Sequence, residues 1–286
     1  MTIPSAGASG RKSVGRVFGG IGILLGLMIA MVIQLLPFYI AFTTALKPRN
    51  DLSSQWLPPV DGIFWENFAF AINEGGILRA MANSAIITLV STVLVCVLGA
   101  LAAYPLARRP TLGNKIVFGG IVALIMVPPL SILVPLYSFL NQIGGTNTYW
   151  GAVVIMVATQ LPLSVFLYAA FIRGLPLSVE EAATVDGANL VQILFRVVFP
   201  MLKPVTATVV ILTSVSVWNE YALSVFVLRD PAVRTIAPTI ATFFASQGSN
   251  LGAAAAASLI SVVPVLLAYL VLQRYFIKGM VAGSEK

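Results

Sequence analysis

The 286-residue sequence contains no histidine, a single cysteine and few charged side chains. The absence of histidine excludes imidazole acid–base catalysis and histidine-ligated metal sites. A lone thiol, Cys96, excludes an internal disulfide and metal sites built from several cysteines. Only 9% of the residues are charged, whereas a soluble domain carries roughly 25%. A water-soluble fold is therefore excluded, and so is disorder, which requires low hydrophobicity and high charge.

Apolar residues make up 58% of the chain and are grouped in long runs. A helix of about 20 apolar residues crosses a bilayer, and six runs are long enough. They lie at about 17–46, 84–107, 116–140, 149–172, 205–228 and 251–277. The sequence therefore predicts an all-α polytopic membrane helix bundle with six transmembrane helices, spanning 17–277 between tails at 1–16 and 278–286. Pro128, Pro129 and Pro135 predict a kink or a break in the third run.

The basic residues are unevenly divided between the two sides of such a bundle. One side carries twelve of them: Arg11, Lys12, Arg16, Arg108, Arg109, Lys115, Arg173, Arg196, Lys203, Arg274, Lys278 and Lys286. The other side carries five: Lys47, Arg49, Arg79, Arg229 and Arg234. The positive-inside rule then predicts that both termini lie in the cytoplasm. Because the basic residues form no single patch, the net charge of +7 indicates topology and no nucleic-acid partner.

The predicted cytoplasmic loop 176–204 differs from its apolar surroundings. Ser178 and Glu181 have the spacing of a capping box at a helix start, and Asp186–Gly187 predicts a helix end. Apolar residues recur at helical spacing from Ala188 to Phe199, which predicts a second short helix. Such a bent segment, fixed to spans on both sides, can seat in a groove on a soluble partner and pass its movement to the spans. The simpler alternative is a solvated interfacial helix.

One spacing in this loop is that of a known motif. It consists of Glu181-Ala182-Ala183, then Gly187, then Val197, Phe199 and Pro200. This pattern resembles the EAA motif of permease subunits in bacterial ABC importers, although the family usually has Ile and Leu in place of Val197 and Phe199. From about residue 30 onward the chain is similar to the smaller permease of the maltose-type sugar subfamily. That similarity is carried by Asn83-Ser84, Ala102-Ala103-Tyr104-Pro105-Leu106-Ala107-Arg108, Pro135-Leu136-Tyr137, Trp218-Asn219-Glu220 and the tail Gly279–Lys286.

The resemblance implies a type I ABC importer permease fold with a cytoplasmic coupling helix, in a heteromeric importer of the bacterial inner membrane. Its other parts would be a second permease subunit, two ATPase subunits and an extracytoplasmic solute-binding protein, with a carbohydrate substrate. The residues expected to couple to the ATPase are Glu180, Glu181, Ala182, Ala183, Asp186 and Gly187. Those expected to lead into a tail that contacts the ATPase are Arg274, Lys278 and Gly279, although the end Ser284-Glu285-Lys286 departs from the family pattern.

The sequence agrees with an importer in which another chain binds and hydrolyses ATP. It has no Gly-Lys pair and hence no P-loop. No enzymatic activity and no cofactor are expected on this chain, and ATP and Mg would be bound by the partner ATPase.

Polar residues inside the predicted spans are the candidates for a solute path. Glu220 lies in the fifth run, and an ionisable residue within a span is a functional hypothesis by default. Its neighbour Asn219 can form hydrogen bonds across helices, and the candidates in the broken third span are Ser131, Tyr137 and Asn141. The tyrosine and asparagine side chains suit sugar hydroxyls. The alternative for all five residues is a structural role in helix packing.

Two other function classes compete with an ATP-driven importer. A secondary transporter or channel would need intramembrane charges or an inverted repeat, and Glu220 is the only acidic residue within a predicted span. An intramembrane enzyme would need paired carboxylates, histidine or a reactive thiol with a base. The sequence therefore favours the transmembrane subunit of a carbohydrate importer.

Overall fold

The structure is a computed structural model that describes residues 10–49, 51, 53–59, 62–245 and 250–282, with side chains from residue 20 to residue 270 except 245. Every regular element in these ranges is helical. The helices are α1 (Gly10–Ala45), α2 (Glu66–Asn73), α3 (Ile77–Arg108), α4 (Leu112–Ile125), α5 (Leu133–Gln142), α6 (Tyr149–Gly174), α7 (Ser178–Val185), α8 (Leu190–Met201), α9 (Lys203–Trp218), α10 (Ala222–Val227), α11 (Ile236–Ala245) and α12 (Leu251–Ala282).

Four of these helices, α1, α3, α6 and α12, are long and apolar enough to cross a membrane. The number rises to six if each of two bent helix pairs forms one span. In the first pair α4 is followed by Pro129–Gln142 at 98°, and in the second α8 is followed by α9 at 73°. The predicted all-α membrane helix bundle is therefore confirmed.

The predicted break in the third apolar run is confirmed and lies at Pro128 and Pro129, whereas Pro135 lies in the first turn of α5. Helix α4 ends at Ile125, Pro128 adopts an extended conformation, and Pro129 begins one turn of 3-10 helix that ends at Ile132. Proline has no N–H to donate, and its ring clashes with the preceding turn. The chain consequently changes direction by 98° between α4 and the segment that contains α5.

The centre of the bundle is the parallel pair of α3 and α6, whose starts meet at Asn83 and Tyr149 and whose ends meet at Arg108 and Leu175. The Ser164 hydroxyl donates to the Val95 carbonyl oxygen at 3.2 Å, and a Cβ on Gly99 would clash with that hydroxyl. Small residues at the contact allow the close approach by which membrane helices associate. Tyr168, on the buried side of α6, extends the core to α9 by donating to the Thr206 hydroxyl at 3.0 Å. The three helices α3, α6 and α9 thus form one packed unit.

The two ends of this unit carry different connections. At the end called here the loop end, Arg108 contacts α7. At the opposite end, the Asn83 amide donates to the carbonyl oxygens of Ala232 and Arg234 at 3.1 and 2.8 Å, and its oxygen accepts from the Tyr149 hydroxyl at 2.6 Å. Helix α1 lies outside the packed unit, against α12, and its apolar stretch is exposed over most of its length.

Candidate functional site

The loop end begins with the short helix α7. Leu177 is its N-cap residue and no side chain caps it, so the capping box predicted from Ser178 and Glu181 is wrong. Ser178 already lies inside the first turn, where its hydroxyl is not in the capping position. The predicted end of the helix at Gly187 is confirmed: Gly187 has φ +82°, and its N–H donates to the Thr184 oxygen at 3.0 Å.

Helix α8 follows after a sharp turn. It begins with a capping box that sequence reasoning missed, in which the Asn189 side chain accepts from the Gln192 N–H at 2.9 Å and the Gln192 side chain accepts from the Asn189 N–H at 2.8 Å. Residues Ile193–Val198 form a π-helix, and the rings of Phe195 and Phe199 stack with centroids 5.3 Å apart. Helices α7 and α8 therefore form a bent, well-defined elbow.

Glu180 is separated from the other predicted coupling residues because its side chain is buried against α3. Its Oε1 accepts from the Arg108 guanidinium, with 2.7 Å to Nε and 2.6 Å to Nη2. Its Oε2 accepts from the Tyr104 hydroxyl at 2.7 Å. Arg108 Nη2 also donates to the Leu175 carbonyl oxygen at 3.2 Å. These four residues, here called the clasp, join α3, the end of α6 and α7 through charge-assisted hydrogen bonds.

The opposite face of the elbow is open to solvent. Of the predicted coupling residues, Ala183 is half-buried, whereas Glu181, Ala182, Asp186 and Gly187 are exposed. Three large apolar side chains accompany them, with exposed fractions of 87%, 54% and 63%: Val185, Leu190 and Val191. Exposed apolar groups rimmed by polar ones are typical of a protein interaction surface. We refer to Glu181, Ala182, Val185, Asp186, Leu190 and Val191 as the docking patch.

The predicted tail contacts lie at the end of α12. Arg274, Lys278 and Gly279 belong to this helix, and their side chains lie outside the described part of the structure. Residues 283–286, including Ser284-Glu285-Lys286, lie outside the described residues altogether.

Glu220 lies in a break within the fifth apolar run. The single run predicted at 205–228 is divided between α9 and α10. The Glu220 carboxylate accepts from the N–H groups of Leu223 and Ser224, both at 2.8 Å, in the first turn of α10. The neighbouring Asn219 is exposed, and its amide donates to the Val215 oxygen at 2.8 Å. The ion pairs of the described residues do not include Glu220, so backbone dipoles hold its charge there.

The candidates in the third run lie along the 3-10 turn and α5. Ser131 donates to the Pro128 oxygen at 2.7 Å, and the Asn141 side-chain oxygen accepts from Thr146 at 3.4 Å. The Tyr137 ring lies under the Arg229 guanidinium, 5.0 Å from its centroid. Helix α10 packs against both the 3-10 turn and α5. The structure thus brings the two broken runs together, but within the described part of the chain no hydrogen bond joins the five side chains to one another.

A further polar pair was missed from the sequence. The Gln160 amide of α6 donates to the Ser216 hydroxyl of α9 at 2.6 Å, on an open face of the bundle. Gln160 stands near the middle of an apolar run. An amide at such depth is a signal that could have identified it.

A cavity of about 560 Å³ lies between α3, α9 and α12, and its lining is almost wholly apolar. Two buried hydroxyls at this cavity, Thr88 and Thr92, have no hydrogen-bond partner within the described part of the chain. The cavity therefore offers few hydrogen-bonding groups, whereas the open face carries the Gln160 amide and the Ser216 hydroxyl.

Comparisons with known proteins agree with this arrangement. The model of the family described as "Binding-protein-dependent transport system inner membrane component" matches residues 95–281. The chain is 43% identical over 252 residues to the melibiose/raffinose/stachyose import permease protein of Bacillus subtilis, covering 88% of this chain and 91% of that protein. It is 33% identical over 260 residues to the diacetylchitobiose uptake system permease protein of Streptomyces coelicolor, covering 90% and 84%.

The fold is also similar to that of a solved structure. A chain in the crystal structure of a bacterial ABC transporter involved in the import of the acidic polysaccharide alginate superposes with a TM-score of 0.78. The match covers 96% of this chain and 100% of that chain at 22% sequence identity. An identity this low establishes the fold alone.

Proposed function

The chain belongs to the family of binding-protein-dependent transport system inner membrane components, and we propose that it is the transmembrane subunit of an ATP-binding-cassette importer for a carbohydrate. The family supplies transport permeases, whereas the ATPase of such importers is a separate subunit. The carbohydrate class is supported by relatives named for melibiose, raffinose, stachyose and diacetylchitobiose. The chain is a multi-pass membrane protein and not an enzyme.

The observation that carries this proposal is the arrangement of the elbow at the loop end. Its docking patch is exposed on one side of the elbow, while the clasp ties the other side to the core helices. Closure of the ATPase dimer moves the elbow, and the core helices follow to expose the path alternately to the two sides of the membrane. The docking role of Glu181, Ala182, Ala183, Asp186 and Gly187 is supported by the motif spacing and by the exposure of most of these residues.

The complete importer contains further chains. A second permease supplies the other half of the path, two ATPase subunits bind ATP and Mg, and a solute-binding protein delivers the carbohydrate from outside. Arg274, Lys278 and Gly279 lead toward the ATPase at the end of α12. The exposed apolar side chains on α1 and α3 support contact with lipid or with the second permease.

The loop end faces the cytoplasm in this proposal, together with both termini. The support is the excess of basic residues on that side, twelve against five. Labelling of Val185→Cys with a membrane-impermeant maleimide, in a Cys96→Ser background, tests it. In right-side-out vesicles, Val185→Cys is expected to be labelled only after lysis. Labelling of intact vesicles would show that the loop end faces the exterior.

The solute path lies along the open face that carries Gln160 and Ser216, and it continues to Asn219 and Glu220 at the break between α9 and α10. These groups offer amide, hydroxyl and carboxylate oxygens for sugar hydroxyls. Tyr137 and Asn141, with Ser131 at the bend, line the neighbouring α5 segment. The exposure of Ser216 and Asn219 at the predicted depth of the span supports this route.

The docking role is tested by reversing one charge of the docking patch. Glu181→Lys is expected to abolish co-purification of the ATPase subunits and ATP-dependent uptake in vesicles, while membrane insertion persists. The matched control is Glu74→Lys, which reverses an exposed charge next to α2 at the opposite end and should leave ATPase attachment unchanged. Unchanged coupled uptake in Glu181→Lys would contradict the docking role. Uptake by the purified chain without ATPase subunits would indicate a secondary transporter or channel instead.

A further inference from the structure

We infer that Arg108 is a positioning residue that fixes the elbow to α3 and α6, so that movement of the docking patch reaches the core instead of being absorbed in the loop. The inference rests on the proposed function and adds a role that the docking motif does not contain. Arg108 lies beneath the elbow, on the side away from the exposed docking patch. It therefore acts through Glu180 and touches neither the solute nor the nucleotide.

The geometry assigns this role to one guanidinium group. Tyr104 and Arg108 are four residues apart and therefore lie on the same face of α3. Between them they bind both carboxylate oxygens of Glu180. The same Arg108 group reaches the carbonyl oxygen of Leu175, which is the C-cap residue of α6. Three helices consequently meet at a single side chain.

The position of Glu180 in α7 makes the contact mechanically relevant. It precedes Glu181 of the docking patch directly, and its backbone oxygen accepts from the Thr184 hydroxyl within the same helix at 2.8 Å. A displacement of α7 therefore also moves the Glu180 carboxylate. Because both members of the ion pair are largely buried, with 13% and 10% of their side chains exposed, water cannot easily replace the lost bonds.

The remaining attachments of α7 are less directional. It is joined to α6 by the short link at residues 175–177, and its Ala183 methyl packs against the core. On its other side Gly187 and Asn189 allow a sharp turn. Apolar contacts permit sliding, whereas Arg108 donates from two nitrogens to Oε1 and Tyr104 donates to Oε2, and these hydrogen bonds fix both the distance and the orientation of the carboxylate. The clasp is thus the element that converts loop movement into helix movement.

The experiment uses the complete importer in proteoliposomes, with the cognate ATPase and binding-protein subunits, and records uptake and solute-stimulated ATP hydrolysis in the same sample. Arg108→Lys keeps the charge, but an ammonium cannot reproduce the planar guanidinium contact with both Glu180 and Leu175. The solute moved per ATP hydrolysed is expected to fall about fivefold or more. Tyr104→Phe removes one bond without leaving a charge unpaired and should lower the same ratio by a smaller factor. Arg109→Lys, an exposed neighbour, is the matched control and should equal the wild type.

A charge exchange tests the pair directly. The double variant Arg108→Glu with Glu180→Arg is expected to recover part of the solute-to-ATP ratio that each single variant loses. A residue needed only for folding would lower uptake and hydrolysis in parallel and leave their ratio unchanged. That result would overturn the inference, as would wild-type ratios in both Arg108→Lys and Tyr104→Phe, or failure of both variants to assemble. Absence of ATP-dependent uptake in the wild-type assembly would instead contradict the proposed function.

Discussion

Two carboxylates of this chain are held in contrasting ways. Glu180 at the loop end is bound by side chains of α3 that are 72 and 76 residues away in sequence. Glu220 is bound by two backbone N–H groups only three and four residues ahead. The first contact joins separate helices, whereas the second shapes one turn of the chain. The two acidic residues therefore differ in the groups that bind their carboxylates: side chains of another helix at Glu180, and backbone N–H groups at Glu220.

The contrast has a physical basis in the charge of each partner. A guanidinium carries a full positive charge, and removal of either member leaves the other buried without compensation. The N-terminus of a helix carries only a partial charge, and its N–H groups also bind neutral acceptors. The contact at Glu180 should therefore depend strongly on ionisation, and the contact at Glu220 should depend mainly on acceptor geometry.

The largest effect is expected from Arg108→Ala, which leaves Glu180 without its cation. The free energy of unfolding should fall by about 3 kcal/mol, because a largely buried carboxylate then has only Tyr104 as a partner. Thermal unfolding of the purified chain in detergent measures the change. The double variant Arg108→Met with Glu180→Met removes both charges and should be more stable than Arg108→Ala. An equal loss in the two variants would show that packing, and not charge, dominates the clasp.

The second effect compares the neutral isostere at both positions. Glu180→Gln should destabilise by about 2 kcal/mol because it weakens charge-assisted hydrogen bonds. Glu220→Gln should cost about 1 kcal/mol because one amide oxygen still accepts from the first turn of α10. Unfolding of the two variants under identical conditions tests the order. A reversed order would contradict the distinction, and complete loss of uptake in a stable Glu220→Gln protein would favour a path role for that residue.

A third effect concerns the turn between the two helices of the elbow. Gly187 has φ +82°, a conformation that costs L-residues about 1–2 kcal/mol. Gly187→Ala should therefore speed amide hydrogen exchange in the elbow without changing the clasp. Gly187→Asn is the control, since asparagine enters the left-handed region more readily than alanine. Equal exchange in Gly187→Ala and wild type would contradict the need for glycine.

The smallest effect is expected at the start of α8. Asn189→Ala removes the side chain that accepts from the Gln192 N–H and should cost about 1 kcal/mol, mostly locally. Hydrogen exchange of a peptide covering 189–194 measures the fraying. Asn189→Ser preserves an acceptor and should protect that peptide nearly as well as the wild type. Fraying of equal size in both variants would argue against the cap.

Much of the architecture could be predicted because it depends on composition and on backbone chemistry. Long apolar runs require helices in a membrane, Pro128 and Pro129 cannot continue α4, and Gly187 tolerates the conformation that ends α7. The break at Glu220 could not be predicted in this way. Trp218, Asn219 and Tyr221 are all compatible with a continuing helix, so only the tertiary arrangement separates α9 from α10.

The candidate site was predictable as a segment but not side chain by side chain. Glu180 and Glu181 are adjacent, and the motif alone does not tell which faces the core. The available signal was Arg108, which together with Tyr104 ends an apolar run at the loop end and requires an anion nearby if it is buried. The π-helix at Ile193–Val198 left no mark in the sequence, because it preserves the same apolar side chains as an α-helix would.

The clasp also constrains how the chain is assembled in time. Arg108 is made 72 residues before Glu180, so the ion pair cannot form until α4, α5 and α6 have been synthesised. Before then, an unpaired charge at the end of α3 is costly to place in the hydrocarbon. Once Glu180 has been made, the Arg108 guanidinium can join α3, the end of α6 and α7.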